Sequence, residues 1–247
     1  MFIGIGSLIN VLAIVIGTLL GWAVGSRLRE ATRTLTTQVL GLCTLVLGAL
    51  SIRPLLTPPL AQAVPAGAVF VVIIVSLALG AVIGSASRLE DRCADLGSWL
   101  RRKLVRGDGK DGEHGFVDAF VTATLVFGVG PMSILGAVQE GLGQGPTTLF
   151  MKSVLDLVAA MAFASAMGMG VMASALVIGL YQGTWTLLAF VVGDLLPAVQ
   201  VDMISVIGGI ILLGLGLRLV GAAEVRVADL LPALVVGPLL LAGTGLL

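Results

Sequence analysis

The chain has 247 residues, of which 57% are hydrophobic and only 11% charged, and its formal net charge at pH 7 is zero. A soluble domain carries about 25% charged residues, so the composition excludes an ordinary water-exposed surface and indicates an integral membrane protein. The balanced charge gives no sign of a nucleic-acid partner, and we expect none. Cys43 and Cys93 form no CxxC pair, so we predict no disulfide framework, metal site or cofactor.

Eight apolar segments follow one another along the chain: 3–25, 38–56, 66–87, 116–138, 147–168, 171–193, 203–217 and 229–247. We read the first as a retained helix because no basic region precedes it. The apolar stretch 147–193 would form a helix of about 70 Å, more than twice the hydrocarbon core, so we predict a break at "MGMG" (167–170).

The fold class predicted is therefore all-α, a polytopic membrane helix bundle of about eight transmembrane helices in a single membrane domain, 1–247. Helices 1–3 occupy 1–87, a cytoplasmic loop 88–115, helices 4 and 5 116–170, and helices 6–8 171–247. Basic residues concentrate in 26–37, 88–115 and 218–228. The positive-inside rule puts these loops in the cytoplasm and both termini outside.

Within the long cytoplasmic loop, leucines at helical spacing predict an amphipathic helix on the inner membrane surface. We expect a disordered tip, "GDGKDGEHG" (107–115), to follow it.

Small residues recur at four-residue spacing on two predicted helices. Helix 1 carries Gly17, Gly21 and Gly25, and helix 3 carries Ser76, Gly80 and Gly84. Such ridges let two helix backbones approach closely. They predict helix packing within one subunit, with the seam of a homodimer as the alternative.

A weak internal symmetry links the two halves of the chain. "QVLGLCTLVLGAL" (38–50) resembles "SVIGGIILLGLGL" (205–217), and helix 1 resembles helix 6 at nearly the same offset. Helices 1–3 and 6–8 would then form inverted three-helix repeats bridged by helices 4 and 5. Inverted repeats are typical of transporters whose site lies near the membrane midplane.

Helix 5 carries Lys152 and Asp156 in an otherwise apolar stretch. Charges inside a membrane are costly and mark partners or pathways. At i,i+4 spacing the two side chains can form a structural ion pair, or Asp156 can bind a cation or proton; the two interpretations are compatible.

Helix 4 reads "VTATLVFGVGPMSILGAVQEG" (121–141), where Gly128, Gly130 and Pro131 weaken the hydrogen-bond ladder in mid-membrane. The result is either an ordinary proline kink or a broken helix at a binding site, with Ser133 adjacent. Backbone groups freed there must be satisfied by protein, water or ligand.

Other polar side chains in apolar surroundings are Asn10 on helix 1 and Tyr181 and Gln182 on helix 6. Each alone is typical of interhelical contact. Asn10, Ser133, Asp156 and Gln182 come from four different helices, which favours the lining of one cavity. The sequence has no HExxH, GxSxG or phosphate-binding loop, so we do not expect an enzyme.

Five blocks of the chain resemble the bacterial membrane family labelled domain of unknown function 554. They are "GSLINVLAIVIGTLLGWAVGSRL", "QVLGLCTLVLGAL", "FVTATLVFGVGPMSILGAVQEGL", "LFMKSVLDLVAAMAFASAMGMGVMASALVIGLYQG" and "VRVADLLPAL". The blocks follow in order along nearly the whole chain and include Lys152, Asp156 and Gln182. The resemblance implies a membrane or transport protein of the bacterial inner membrane and names no substrate or catalytic residue.

Three functions remain open. The first is a small secondary transporter or permease for a small polar or charged solute, with a midplane site around Asp156. The second is a passive channel at a dimer seam. The third is a scaffold or regulatory protein whose basic inner loop binds anionic lipid or a protein partner.

Overall fold

The structure, a computed structural model, describes residues 2–25, 27–56, 60, 68–104, 113–192 and 197–243. Within these ranges the regular structure is helical. The α-helices are α1 Ile5–Gly25, α2 Glu30–Ser51, α3 Ala68–Ser87, α4 Leu89–Leu104, α5 Glu113–Val129, α6 Pro131–Gly141, α7 Thr147–Met167, α8 Gly170–Val192, α9 Ala198–Leu219 and α10 Ala233–Gly243. Short 3₁₀ turns cover Arg53–Leu56 and Val227–Leu230.

Six helices of the described ranges are long and apolar enough to cross a membrane: α1, α2, α3, α7, α8 and α9. The helices α5 and α6 pass the same test together but are bent by 58° at their junction, so they count as a seventh crossing if the pair is one span. The helix α10 has 11 residues, about 16 Å at 1.5 Å per residue. An all-helical membrane protein is therefore confirmed, whereas eight crossings and the inverted repeat stay predictions.

The outward faces of these helices suit lipid. Large apolar side chains such as Leu180, Phe70 and Ile74 are each at least 60% exposed. In a soluble protein so many exposed apolar side chains would form an aggregating surface. In a membrane they contact acyl chains.

The chain forms two compact units, the first made of residues 1–40, 93–128 and 132–195. In the first unit, α1 lies against α7 along the glycine ridge. Gly17, Gly21 and Gly25 lie on the backbone carbonyls of Leu157, Met161 and Ser165 in turn. In these three contacts the residue numbers on α1 and α7 rise together, so the two helices run in the same direction. A side chain at any of these glycines would collide with the α7 backbone.

Apart from residues 129–131, the bent pair α5–α6 belongs to the same unit and runs beside α8. Gly170 lies against the Phe116 carbonyl at one end, Gly128 against Ile178 in the middle, and Gly141 against the Thr186 carbonyl at the other end. The two parts of the bent pair together therefore accompany α8 over most of its length, which favours a broken span over a loop that turns back.

The helices α7 and α8 are separated at the predicted "MGMG" site. The helix α7 ends at Met167, Gly168 takes a φ of 93°, and α8 begins at Gly170. Glycine adopts such a positive φ at little steric cost because it has no Cβ. The Arg33 side chain donates a hydrogen bond to the Ala166 carbonyl at 3.2 Å, which satisfies one of the last carbonyls of α7.

The second unit comprises residues 41–92, 129–131 and 196–247. Its small-residue ridge belongs to α3. Gly80 packs on Ala233 of α10, and Gly84 packs on the Asp229 carbonyl just before it. In these two contacts the residue number on α3 rises while that of its contact falls, so α3 and α10 are antiparallel.

The predicted amphipathic helix is present as α4. Its Leu100 is buried, and Gly97 lies against Phe120 of α5, so part of the apolar face of α4 packs on protein rather than lipid. The predicted disordered tip, 107–115, begins outside the described residues, which resume at 113. Residues 113–115 are not a loop tip, because they form the first turn of α5.

Candidate functional site

The buried charges Lys152 and Asp156 form an ion pair on α7. The Lys152 Nζ lies 2.5 Å from the Asp156 Oδ2, and both side chains are less than a tenth exposed. The Lys152 ammonium also lies over the Phe127 ring of α5, 5.9 Å from its centroid, within the range of a cation–π contact. The pair therefore faces the interior of the first unit and not the lipid.

A chain of amide and hydroxyl groups extends from this pair across three more helices. The Asn10 amide of α1 lies close enough to the Asp156 carboxylate to interact with it electrostatically. The Asn10 Nδ2 donates to the Gln182 Oε1 of α8 at 3.3 Å, and the Gln182 Nε2 donates to the Ser133 Oγ of α6 at 3.0 Å. The four residues that the sequence assigned to one cavity thus come together. We call Asn10, Ser133, Lys152, Asp156 and Gln182 the polar network.

The network ends at the break between α5 and α6. The helix α5 stops at Val129, and α6 begins at Pro131. In a continuous helix the N–H of residue 131 would bond to the Phe127 carbonyl, but proline has no N–H. The Ser133 hydroxyl replaces that donor, with its Oγ 3.1 Å from the Phe127 oxygen.

Phe127 contacts both ends of the polar network. Its carbonyl accepts from Ser133, its aromatic face lies beneath Lys152, and its ring meets Phe163 of α7 edge-on at 6.3 Å. The side chain is fully buried. A conformational change at the α5–α6 break would therefore move the carbonyl that Ser133 binds and the ring that Lys152 faces.

A third buried charge, Glu140, lies outside the set of site residues predicted from the sequence. This carboxylate lies near the end of α6, is 3% exposed, and accepts hydrogen bonds from the Gly6 N–H at 2.6 Å and the Ser7 N–H at 3.4 Å. These donors belong to the first turn of α1, where a negative charge is stabilised by the helix dipole. The only sequence signal is an acidic residue at the end of an apolar helix.

Tyr181 lies apart from the polar network. Its ring meets the Trp185 ring edge-on at 6.4 Å, one turn along α8, and no hydrogen bond described for the network involves it. The sequence placed Tyr181 beside Gln182 among the binding residues, but neighbouring residues on a helix point about 100° apart. Gln182 therefore faces the interior while Tyr181 is turned toward another side.

A groove of about 370 Å³ lies between α1 and α8. Its lining includes Ser7, Val11, Gly183 and Thr186 but none of the five residues of the polar network. The network side chains are therefore turned away from this groove, as the 100° between neighbouring helical residues allows. The Thr186 hydroxyl is buried and has no hydrogen-bond partner among the described residues.

The Asn10 Oδ1 is the unsatisfied atom of the network. Asn10 is fully buried, and its Oδ1 accepts no hydrogen bond from the described residues. A buried carbonyl oxygen without a donor costs about 1–3 kcal/mol. Such an atom at the centre of a polar network indicates a position for a donor or a cation.

Comparison with known proteins agrees with the membrane character of the chain. The family model described as "Protein of unknown function (DUF554)" matches residues 5–242. The chain is 28% identical to the "Uncharacterized membrane protein YdfK" of Bacillus subtilis over 236 residues, covering 96% of this chain and 95% of the relative. It is 30% identical to the "Uncharacterized protein YqgA" of Escherichia coli over 233 residues, covering 93% of each. No solved structure matches the chain.

Proposed function

This chain belongs to the family described as protein of unknown function (DUF554), and we propose that within it the chain is a secondary transporter or permease for a small polar or charged solute. The solute site is the polar network of the first unit. The observation that carries the proposal is the run of hydrogen bonds from Asn10 through Gln182 and Ser133 to the Phe127 carbonyl. This run lies beside the buried ion pair of Lys152 and Asp156 and ends at the break in a membrane helix.

The cost of burial supports a functional network. A charged side chain at the centre of a bilayer costs about 2.5–3.5 kcal/mol on the translocon scale, and structural packing alone does not require one. The ridge of Gly17, Gly21 and Gly25 already joins α1 to α7. The network adds polar groups that the contact between α1 and α7 does not need.

The broken helix supports a site over a purely structural contact. Irregular backbone at membrane depth is tolerated where protein or a water-filled cavity satisfies it, and transporters use such breaks to bind solute near the midplane. Here Ser133 replaces the missing donor and also accepts from Gln182. A solute that competes for Gln182 would thereby act on the break itself.

In this proposal Asp156 binds the coupling ion or the cationic part of the solute, and Lys152 is its exchangeable partner. Asn10, Ser133 and Gln182 are the hydrogen-bonding walls. The chain is a transport protein and not an enzyme. It lies in the bacterial inner membrane with both termini outside, as the distribution of basic residues indicates.

The direct test is a thermal-stability screen of the purified protein in detergent against ions and small polar metabolites. A solute that binds the folded state raises Tm, and the shift should vanish in Asp156→Asn. Ser153→Ala is the matched control, because among the described residues the Ser153 hydroxyl bonds only to the Leu149 carbonyl of its own helix, at 2.7 Å. That variant should keep the shift.

The outcomes separate the three functions. A solute-dependent shift that persists in Asp156→Asn contradicts the proposed site. A conductance in planar bilayers that does not saturate as the solute concentration rises would indicate a channel instead. If replacing Asp156 leaves a cellular phenotype intact while neutralising Arg101, Arg102 and Lys103 abolishes it, the chain is a scaffold that acts through α4.

A further inference from the structure

The helices of the first unit that carry the polar network form two groups, each closely packed within itself. The helices α1 and α7 form one group, in which the glycine ridge of α1 lies on backbone carbonyls of α7. The helices α5, α6 and α8 form the other. There Gly170 of α8 lies on the Phe116 carbonyl of α5, and Gly141 of α6 lies on the Thr186 carbonyl of α8. Backbones that approach this closely leave little room for relative movement.

The boundary between the two groups is occupied by side chains instead. Gly179 of α8 faces the Val11 side chain of α1. Gly136 of α6 faces the Leu149 side chain of α7. The groove of about 370 Å³ between α1 and α8 also lies on this boundary. Because side chains change rotamer more readily than backbones change path, the boundary is where the two groups can move against each other.

The polar network spans that boundary. Asn10, Lys152 and Asp156 belong to α1 and α7. Gln182 and Ser133 belong to α8 and α6, and the hydrogen bond of 3.3 Å from Asn10 to Gln182 joins the two sets. A solute bound in the network would therefore touch both groups at once. Alternating access in transporters uses the rocking of one bundle against another around such a site.

Glu140 ties the two groups together at one end. Its carboxylate comes from α6, and the donors, the N–H groups of Gly6 and Ser7 at 2.6 Å and 3.4 Å, come from the first turn of α1. Thr148 of α7 adds a bond of 2.7 Å to Gln139 of α6 at the same end, but this bond is part-buried and joins residues close in sequence. Glu140 is buried and charged, and its hydrogen bonds are therefore the stronger tie.

The polar network lies close to the Glu140 end. Asn10 follows Gly6 on α1 by one helical turn, which is about 6 Å. In the other direction, Gly25 at the end of α1 lies about 22 Å beyond Asn10. Only a thin layer of protein therefore separates the network from the end of the unit that Glu140 closes.

The connections between the helices suit a movement at that end. At the far end, α7 and α8 are joined through a short turn in which Gly168 takes a φ of 93°. At the Glu140 end, α6 and α7 are joined by residues 142–146, where Gly143 and Gly145 take φ values of 75° and 99°. Five residues can extend to about 17 Å. The longer connection can therefore follow a separation of the groups, while the short turn holds their other end together.

We propose that Glu140 is the latch of a gate. When its carboxylate leaves the first turn of α1, the group α5–α6–α8 separates from α1 and α7 at that end, and the polar network opens to the adjacent side of the membrane. That side is the one of the N-terminus, which the positive-inside rule puts outside. The inference rests on the proposed function and names the route by which a solute reaches its site.

The test measures from which side position 133 is reached when the latch is removed. Full-length protein with Cys43→Ala, Cys93→Ala and Ser133→Cys, in membrane vesicles of each orientation, is treated with a charged, membrane-impermeant methanethiosulfonate. Adding Glu140→Ala should raise the modification rate from the side of the N-terminus about tenfold or more, the factor expected for losing a hydrogen bond to a charged group. The rate from the opposite side should not change.

Two further variants keep the test decisive. Glu140→Gln preserves the side-chain volume and one acceptor oxygen, so it should give a smaller increase on the same side, and it carries the test if Glu140→Ala does not fold. Ser153→Ala is the control, because it removes a buried hydroxyl that bonds to the Leu149 carbonyl of its own helix. It should leave both rates unchanged.

The inference is overturned if the folded Glu140 variants leave the rate unchanged, if the rate rises equally from both sides, or if Ser153→Ala raises it as much. Its failure is distinguishable from failure of the proposed function. A solute that binds in an Asp156-dependent way while the Glu140 variants leave access unchanged sinks the gate and leaves the transporter intact. A gate that opens position 133 without any bound solute does the reverse.

Discussion

Both units of this protein pack helices against a glycine ridge, but they differ in what surrounds that ridge. In the first unit the ridge of Gly17, Gly21 and Gly25 seats α1 on the α7 backbone, and in the second the ridge of Gly80 and Gly84 seats α3 on the segment 229–233. The difference lies in where the polar side chains are placed.

In the second unit the charged side chains gather at helix ends. Glu90, at the start of α4, accepts from the Arg218 side chain at 2.6 Å and the Ala228 N–H at 2.7 Å, and Asp229 contacts Arg226, which is about half exposed. In the first unit, by contrast, Lys152 and Asp156 lie in the body of α7. Close packing alone therefore does not require charge in the body of a helix, and the network in the first unit needs another reason.

The largest expected effect compares the buried acids of the two units. Asp156→Asn leaves Lys152 without a counter-charge and should lower the free energy of unfolding by about 3–5 kcal/mol. Asp229→Asn should cost only about 1 kcal/mol, since Arg226 can turn to water. Chemical denaturation in detergent measures both.

The paired variant Lys152→Met with Asp156→Leu then separates stability from function. Replacing both charges with apolar groups should recover most of the lost stability, but solute-dependent stabilisation should remain absent. If the paired variant still responds to the ligand, the ion pair is structural only.

The next effect tests whether both ridges are purely structural. Gly21→Ala and Gly84→Ala each place a methyl group against a backbone carbonyl, and each should lower the free energy of unfolding by about 1–3 kcal/mol. The control is Gly183→Ala on α8, where an added Cβ meets nothing within 4 Å. That change should be neutral or slightly stabilising; equal losses at all three positions would contradict the packing described.

Much of this could be predicted from the sequence, because membrane helices are defined by length and hydropathy. The break at "MGMG" and the one beside Pro131 follow from glycine and proline chemistry. The partners of the ridges could not be predicted, since Gly21 and Gly84 look alike in sequence yet one pair of helices is parallel and the other antiparallel. Glu140 was missed because its partners are backbone N–H groups more than a hundred residues away.

The smallest expected effect concerns the broken helix. Ser133→Ala leaves the Phe127 carbonyl without a donor and should cost about 1–2 kcal/mol. Pro131→Ala supplies an N–H that can bond to that carbonyl, so the double variant should regain the part of the loss that comes from the Phe127 carbonyl. The part that comes from the Gln182 Nε2, which also loses its acceptor, should remain. A double-mutant cycle on the free energy of unfolding measures the coupling; additive losses would show that Ser133 does not replace the proline donor.

The most direct test of a solute pathway asks whether water-soluble reagents reach the polar network. In a Cys43→Ala, Cys93→Ala background, Ser133→Cys and Val154→Cys are treated with a charged, membrane-impermeant methanethiosulfonate from each side of the membrane. Ser133 is fully buried, whereas Val154 is 66% exposed on the lipid face of α7. A pathway predicts faster modification at position 133 than at position 154. An inert cysteine at 133, treated from both sides, would contradict it.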